Sequence, residues 1–305
     1  MNIMTFMNAL PGNVAQGLIW GIMAIGVFIT YRILDIADLT VDGSMCTGGA
    51  VCAMMMLAGH NPWVALIASV VAGMLTGFVT GMLHTFMGIP AILSGILTQL
   101  SLYSVNLKIM TKPNQSLSVD RYDLLVSLRY IKELPLLRNT IFFIAILIIV
   151  LIVLLYWFFG TEIGCSLRAT GCNGNMARAQ GINTNRNKVL GLMISNGLVA
   201  LSSALLAQYQ GFADVNMGRG AIVIGLAAVI IGEAILGKVF RNFALRLVAV
   251  ALGSIVYFLV LQLVMMIGVD TDLLKLFTAA IVAFFLAFPY LKKTYWTKPV
   301  KRGGK

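Results

Sequence analysis

The stretch DIADLTVDGSMCTGGAVCAMM, Asp35 to Met55, follows the first long apolar run of the chain and has a counterpart farther along. The counterpart is GFADVNMGRGAIVIGLAAVII, Gly211 to Ile231, which also follows a long apolar run. In both stretches Ala-Asp and an aliphatic residue precede a few polar residues with Gly, and a segment rich in Gly and Ala comes next. This shared order predicts an internal repeat in which Asp38 corresponds to Asp214.

Apolar runs make up most of the rest of the chain. Of its 305 residues, 59% are hydrophobic and 11% are charged, and the mean hydropathy is +0.92, whereas soluble domains carry about 25% charged residues. A bilayer core about 30 Å thick requires roughly 20 apolar residues per helix. The sequence therefore predicts an all-α polytopic membrane protein with about nine transmembrane helices, at about 11–31, 43–59, 63–87, 89–107, 139–160, 187–209, 219–236, 246–267 and 272–290.

The positions of the basic residues predict the topology. Most of the 22 Lys and Arg residues, including those of a basic tail at 291–305, fall on one side of the nine runs. The positive-inside rule then places the N-terminus outside and the C-terminus in the cytoplasm. The loop after the fourth run is also basic and falls outside, but long loops follow this rule poorly.

In this topology the two Ala-Asp loops lie on opposite sides of the membrane, so the two repeat units are inverted. Unit one covers about 11–107 and unit two about 186–290. Because four spans end on the side where they began, an external loop and linking helix at 108–160 must add one crossing, which gives a four + one + four arrangement within a single domain, 1–305. Inverted repeats are typical of transporters, whose substrate site lies near the repeat interface.

Polar residues form stripes along the fourth and sixth runs at helical spacing. They are candidates for a substrate pathway, and the set is Ser94, Thr98, Gln99, Asn196, Ser203 and Gln210. The alternative is that the hydroxyl groups only allow close helix packing. We expect replacement of both Asn196 and Gln99 by Leu to abolish uptake without preventing assembly.

Charged residues in the two Ala-Asp loops are candidates for gates or helix ends, namely Asp38, Asp42, Asp214 and Arg219. Acidic residues fall at the ends of the runs, with Glu233 as the exception, so a proton relay of the kind that drives carriers is not expected. The segment GEAILGKV, Gly232 to Val239, resembles a phosphate-binding loop but has Val239 where the magnesium-binding hydroxyl should be. Four cysteines without Cys-x-x-Cys spacing and two histidines predict no metal site or cofactor.

A polar, glycine-containing stretch, RATGCNGNMARAQGINTNRNK, interrupts the apolar runs between Arg168 and Lys188. Asn173 is suited to cap a short helix over 174–180, with Gly181 as its stop. So short a helix is not stable alone in water, and its face combines Met176 with Arg178. This favours a docking site for a partner protein, with an ordinary polar connector as the alternative.

Two segments resemble a known family. Gly164 to Glu233 and GLIWGIMAIGVFITYRILDIADLTVDGS, Gly17 to Ser44, are similar to permease subunits of bacterial ABC importers of the branched-chain amino acid and ribose permease class. Within that class, the two segments most resemble amino-acid permeases of the tryptophan or tyrosine type. The resemblance implies a transmembrane permease in the bacterial cytoplasmic membrane that imports a small polar solute, with an amino acid as the expected substrate.

The same resemblance implies several partners. Two separate ATPase subunits would hydrolyse ATP, an extracytoplasmic binding protein would deliver the substrate, and a second permease copy would complete the assembly, with a homodimer as the simpler case. The cytoplasmic coupling helix, 165–183, would dock in a cleft of the ATPase. The docking residues carried over to this sequence are Arg168, Asn173, Asn175, Met176, Arg178, Ala179, Gln180 and Gly181.

Two other functions are compatible with the composition: an ion-coupled secondary transporter that works without an ATPase, and a membrane scaffold that transports nothing. Nucleic acid is not an expected partner despite the net charge of +11, because the basic residues cluster at the ends of the apolar runs, as they do beside membrane lipid.

Overall fold

The computed structural model describes residues 3–118, 122, 124–131, 139–237, 242–266 and 274–291. The described chain is all-α apart from one pair of short strands, so the predicted fold class is confirmed. Its helices are α1 (Ile3–Phe28), α2 (Thr40–Leu57), α3 (Pro62–Thr85), α4 (Ala91–Met110), α5 (Thr140–Gly160), α6 (Glu162–Cys172), α7 (Gly174–Ala179), α8 (Thr184–Gln210), α9 (Ala221–Leu236), α10 (Phe243–Met266) and α11 (Leu274–Leu291).

Each of the nine predicted apolar runs coincides with one of these helices, namely α1 to α5 and α8 to α11. Within the described residues, five segments are both long and apolar enough to cross a membrane unaided: 9–33, 62–85, 140–160, 184–210 and 243–266. The predicted basic tail begins at Leu291, and its residues 292–305 lie outside the described part of the chain.

Polar residues fix where many helices begin. The side chains of Asn61, Asn139, Asn173 and Asn183 each accept a hydrogen bond from a backbone N–H in the first turn of the following helix. Such caps satisfy donors that have no partner inside the helix. The helix starts therefore follow from local sequence, and Gly211, with a φ of 77°, ends α8 in the left-handed conformation that glycine adopts readily.

Glycines allow the helices of the two halves to pack closely. On α3, Gly73, Gly77 and Gly81 lie at four-residue spacing against the backbone or side chains of α8, and an added Cβ at Gly77 would collide with the Leu192 carbonyl oxygen. On α1, Gly17 lies in the same way against Ile255 of α10. Small residues at such contacts are what close helix packing in membranes requires.

The helix contacts can be compared between the two predicted repeat units. If α1 to α4 are matched with α8 to α11, the α3–α8 contact becomes the α10–α1 contact, and both belong to the most extensive in the structure. The contacts α2–α8 and α2–α3 likewise become α9–α1 and α9–α10, which are also present. In addition, Asp38 and Asp214 each accept a hydrogen bond from the backbone N–H two residues later.

The start of α2 lies close to the connection that leads into α9. Asp42, in the first turn of α2, contacts the backbone at the start of α9, and Cys46 contacts the carbonyl oxygen of Val215. α2 and α9 have 18 and 16 residues, which is about 27 and 24 Å of helix. Both are shorter than a bilayer core of about 30 Å, so the chain folds back inward before each begins.

A short strand pair ties the loop after α4 to the loop after α8. Strand β1 (Asn114–Ser116) pairs antiparallel with β2 (Phe212–Asp214), and the Leu117 N–H extends the contact by donating to the Gly211 carbonyl at 2.7 Å. The sequence analysis did not predict these strands, because three residues are too few to show an alternating pattern.

Candidate functional site

A buried carboxylate and amide lie at the centre of the contact between α2, α3 and α8. Asp38 is 3% exposed and Asn196, near the middle of α8, is fully buried. The Asn196 side-chain N–H donates to Asp38 Oδ2 at 2.7 Å, and its Oδ1 accepts from the Ser44 hydroxyl at 2.6 Å. The first Ala-Asp loop therefore lies inside the helix bundle, with Asp38 two residues before the start of α2.

Hydroxyl groups extend this cluster to α3 and α4. Thr40 hydrogen-bonds Thr80 at 2.7 Å, and Thr80 in turn hydrogen-bonds Thr98 of α4 at 2.9 Å. The backbone N–H of Thr40 also donates to Asp38 at 2.9 Å, so predicted pathway residues on two helices, Thr98 and Asn196, belong to one network. All of its side chains are buried, and their hydrogen bonds join α2, α3, α4 and α8.

The other predicted pathway residues lie apart from this network or only at its edge. Ser94 is buried and donates to the carbonyl oxygens of Pro90 and Ile89, while Ser203 is buried against the sulfur of Met217. Gln210 is exposed at the end of α8. The glutamine of α8 that enters the interior is Gln208, whose side chain accepts from the Leu125 N–H at 3.1 Å.

Asp42 caps the N-terminus of α9. Its two carboxylate oxygens accept from the backbone N–H groups of Gly220 and Ile222 at 2.9 and 3.0 Å. α9 has no capping side chain of its own at Gly220, where φ is 84°. A carboxylate at a helix N-terminus is favoured both by these hydrogen bonds and by the helix dipole, so the first repeat unit caps a helix of the second.

A half-open cavity of about 410 Å³ lies beside this cap, between α2, α4 and the connection from β2 to α9. Its walls bring together three of the predicted residues, Gln99, Asp42 and Arg219, and add some that the sequence analysis did not single out. The lining residues are Asp42, Gly43, Cys46, Gln99, Leu100, Tyr103, Asn106, Val215 and Arg219. Asp214 is not among them, since it turns toward Asn216 and Asn114.

The segment predicted to dock a partner forms an exposed helix with a buried anchor. α7 is capped by Asn173, which accepts from the Met176 N–H at 3.0 Å, and Gly181 follows it with a φ of 81°. Ala177 is 4% exposed whereas Met176 is 63% exposed. The predicted docking residues are all accessible, namely Arg168, Asn173, Asn175, Met176, Arg178, Ala179, Gln180 and Gly181.

α6, which overlaps the first part of the predicted coupling helix at 165–183, connects this segment to the helix bundle. Its Thr170 hydroxyl accepts from the Asn187 side chain at the start of α8 at 2.9 Å. Gly171 lies against the carbonyl oxygen of Ile33, at the end of a π-helical turn, Ile29–Ile33, that closes α1. Arg178 of α7 donates to the Thr184 hydroxyl at 2.7 Å. α6 thus connects the exposed helix to the segment that leads into Asp38.

Several residues of the buried network carried a signal that the sequence analysis did not use. Thr76 and Thr80 lie three residues after Gly73 and Gly77 on α3, which places a polar stripe beside the face that the glycines present to α8. Among the described residues, no group of three His, Cys, Asp or Glu side chains could hold a metal ion.

Known proteins match this chain over nearly its whole length. The family model described as branched-chain amino acid transport system / permease component matches residues 12–286. A tyrosine transport system permease protein of Clostridioides difficile is 39% identical over 281 residues, which are 92% of this chain and 91% of that protein. An uncharacterized protein of Rickettsia prowazekii is 37% identical over 291 residues, 94% of this chain and 99% of that protein.

More distant similarities agree in fold. An autoinducer 2 import system permease protein of Escherichia coli is 28% identical over 221 residues, covering 72% of this chain and 61% of that protein. A chain of PsaBC from Streptococcus pneumoniae, solved in complex with Fab, superposes with a TM-score of 0.54 at 16% identity, covering 96% of this chain and 99% of that one. The chain is therefore a multi-pass membrane permease of the ABC importer type and belongs to the family of branched-chain amino acid transport system permease components.

Proposed function

We propose that this chain is the membrane-spanning subunit of an ATP-driven importer that moves an amino acid into the bacterial cytoplasm. Two copies of the chain would pair, two separate ATPase subunits would bind their cytoplasmic faces, and an extracytoplasmic binding protein would deliver the substrate. The N-terminus lies outside and the C-terminus in the cytoplasm. The tyrosine transport permease among its relatives favours an aromatic amino acid as the substrate.

The observation that carries this proposal is the exposure of α7. A helix of six residues has too few hydrogen bonds to be stable alone, yet this one is capped at Asn173, anchored by Ala177 and followed by a glycine stop. Met176 and Arg178 project from it. A groove of about 350 Å³ beside it, lined by Arg178 and residues 181–185, offers room for side chains of a docked subunit.

Contacts behind α7 provide a mechanical route from the docked ATPase to the buried cluster. Gly171 of α6 contacts Ile33 at the end of α1. Asp38 follows Ile33 by five residues. A π-helical turn at this point is a common feature of functional sites. Movement of α6 and α7 would therefore shift the loop that positions Asp38 against Asn196.

Co-purification tests the proposal. The double variant Met176→Asp and Arg178→Glu should lose its ATPase partner, measured as nucleotide hydrolysis that elutes with the tagged permease expressed together with its neighbouring genes. Met7→Asp and Lys112→Glu make matched controls, because both residues are exposed. Met7 lies at the start of α1, whose other end contacts α6, and Lys112 lies beside β1, which pairs with β2 beyond the end of α8. Equal ATPase activity with the α7 double variant and with the control variants would refute this docking site.

One observation favours a second function, the ion-coupled carrier. Ionisable groups buried at membrane depth often mark proton or ion paths, and Asp38 is such a group. A carrier would concentrate tyrosine in proteoliposomes that contain only this chain, driven by a proton or sodium gradient. The importer would show accumulation only with ATP and its ATPase. Gradient-driven accumulation by the chain alone would replace the first proposal with the second.

A further inference from the structure

The cavity beside the α9 cap contains an unusual buried side chain. Asn106, on α4, is fully buried and borders the cavity. Neither its side-chain nitrogen nor its oxygen has a hydrogen-bond partner within the described chain. Leaving a buried amide unpaired costs the desolvation energy of both groups. Such a group in a cavity wall is suited to hydrogen-bond a molecule that occupies the cavity.

The same cavity presents one anion and one cation. Asp42 accepts two backbone N–H groups, and a carboxylate has about four acceptor sites, so it can also accept from an ammonium group. Arg219 is exposed in the connection from β2 to α9. Its guanidinium can bind a carboxylate in a forked geometry. Tyr103 and Leu100 supply apolar wall between these polar groups.

We propose that this cavity is a solute site within the permease chain itself, formed for a zwitterionic amino acid with an uncharged, apolar or aromatic side chain. The ammonium lies toward Asp42, the carboxylate toward Arg219, and the Asn106 amide bonds the polar end of the ligand, while Tyr103 contacts the side chain. A volume of about 410 Å³ falls in the usual range for small-molecule sites. The inference rests on the proposed import of amino acids, but it assigns part of the recognition to this chain.

The test is direct binding to the purified chain in lipid nanodiscs, without ATPase or binding protein. Radiolabelled L-tyrosine should bind saturably and be displaced by L-leucine. Tyramine, which has no carboxylate, and 3-(4-hydroxyphenyl)propionate, which has no ammonium, should displace it at least about tenfold less well, because each lacks one charged contact.

Two variants locate the site. Asn106→Leu and Arg219→Gln should each weaken tyrosine binding about tenfold, whereas Arg246→Gln, at an exposed arginine on α10, should leave it unchanged. Since Arg219 is exposed, its replacement tests the site even if Asn106→Leu does not fold. Asp42 is left intact because it also caps α9.

Two outcomes would overturn the proposal: no saturable binding of tyrosine to the chain up to about 1 mM, or binding that neither variant weakens. In either case tyrosine uptake by the complete importer would still support the proposed function. Conversely, the chain could bind tyrosine through Asn106 and Arg219 and yet recruit no ATPase. That result would support the proposed solute site and contradict the proposed importer function.

Discussion

The contact between Asp38 and Asn196 makes a quantitative prediction about stability. In the variant Asn196→Leu, the Asp38 carboxylate loses a donor at 2.7 Å and keeps the Thr40 N–H, while Ser44 keeps its hydrogen bond to Thr76. A hydrogen bond to a charged group contributes about 1.5–3 kcal/mol. Together with the lost bond to Ser44, worth about 1 kcal/mol, we expect the free energy of unfolding to fall by about 3 kcal/mol.

A double-mutant cycle isolates the contact itself. Asn196→Leu, Asp38→Ala and the double variant should show a coupling energy of about 2 kcal/mol, because the second substitution removes an interaction that is already broken. The assay is equilibrium unfolding of the purified chain in mixed detergent and lipid micelles, followed by tryptophan fluorescence. Asp214→Ala combined with Asn196→Leu is the matched control, since these residues share no contact, and should be additive within about 0.5 kcal/mol.

The result also separates two roles for Asn196. The polar stripe alone predicts that replacement of Asn196 together with Gln99 abolishes uptake and leaves assembly intact, whereas the buried network predicts that replacement of Asn196 alone lowers stability. A coupling energy within about 0.5 kcal/mol of zero, together with a stable Asn196→Leu chain that does not transport, would refute the structural reasoning and return Asn196 to a pathway role.

Three further predictions concern other parts of the chain. Asn173→Ala should speed amide exchange in α7 about fivefold, since a cap contributes about 1 kcal/mol, while Asn173→Ser should not; hydrogen-exchange mass spectrometry measures both, and equal rates would exclude capping. Gly77→Ala should lower the melting temperature through a clash with α8 costing about 1–3 kcal/mol, unlike Gly160→Ala, which meets no neighbouring atom. Arg32→Glu should cost at most about 1 kcal/mol, because the 2.9 Å ion pair with Glu233 is partly exposed; thermal unfolding of the charge-swapped pair should recover it, and no recovery would argue against the pairing.

Features set by local chemistry were predictable from the sequence. Helix lengths follow from apolar runs, and the start of α7 at Gly174 follows from the capping ability of Asn173, so these were predicted within a few residues. The accessibility of Met176 and Arg178 follows from the same polar segment. Each of these depends on residues within one or two helical turns of each other.

Long-range contacts were not predictable in the same way. The partner of Asp42 is the backbone of Gly220 and Ile222, and backbone groups leave no trace in residue type. The stripe on α8 predicted Asn196 as a pathway residue, but periodicity gives only a helix face. It does not tell whether that face meets water or, as at Ser44 and Thr76, another helix.

The Asp42 cap also bears on the order in which the molecule can be assembled. The acceptor for the first amides of α9 is synthesised nearly 180 residues before the amides themselves, so a ribosome working from the N-terminus delivers α2 to the bilayer first, ready to receive α9. A fragment that begins at Thr184 would enter the membrane with those donors unsatisfied. Co-expression with a fragment containing α1 to α4 would supply the missing carboxylate, which makes the two halves complementary parts of one folding unit instead of independent domains.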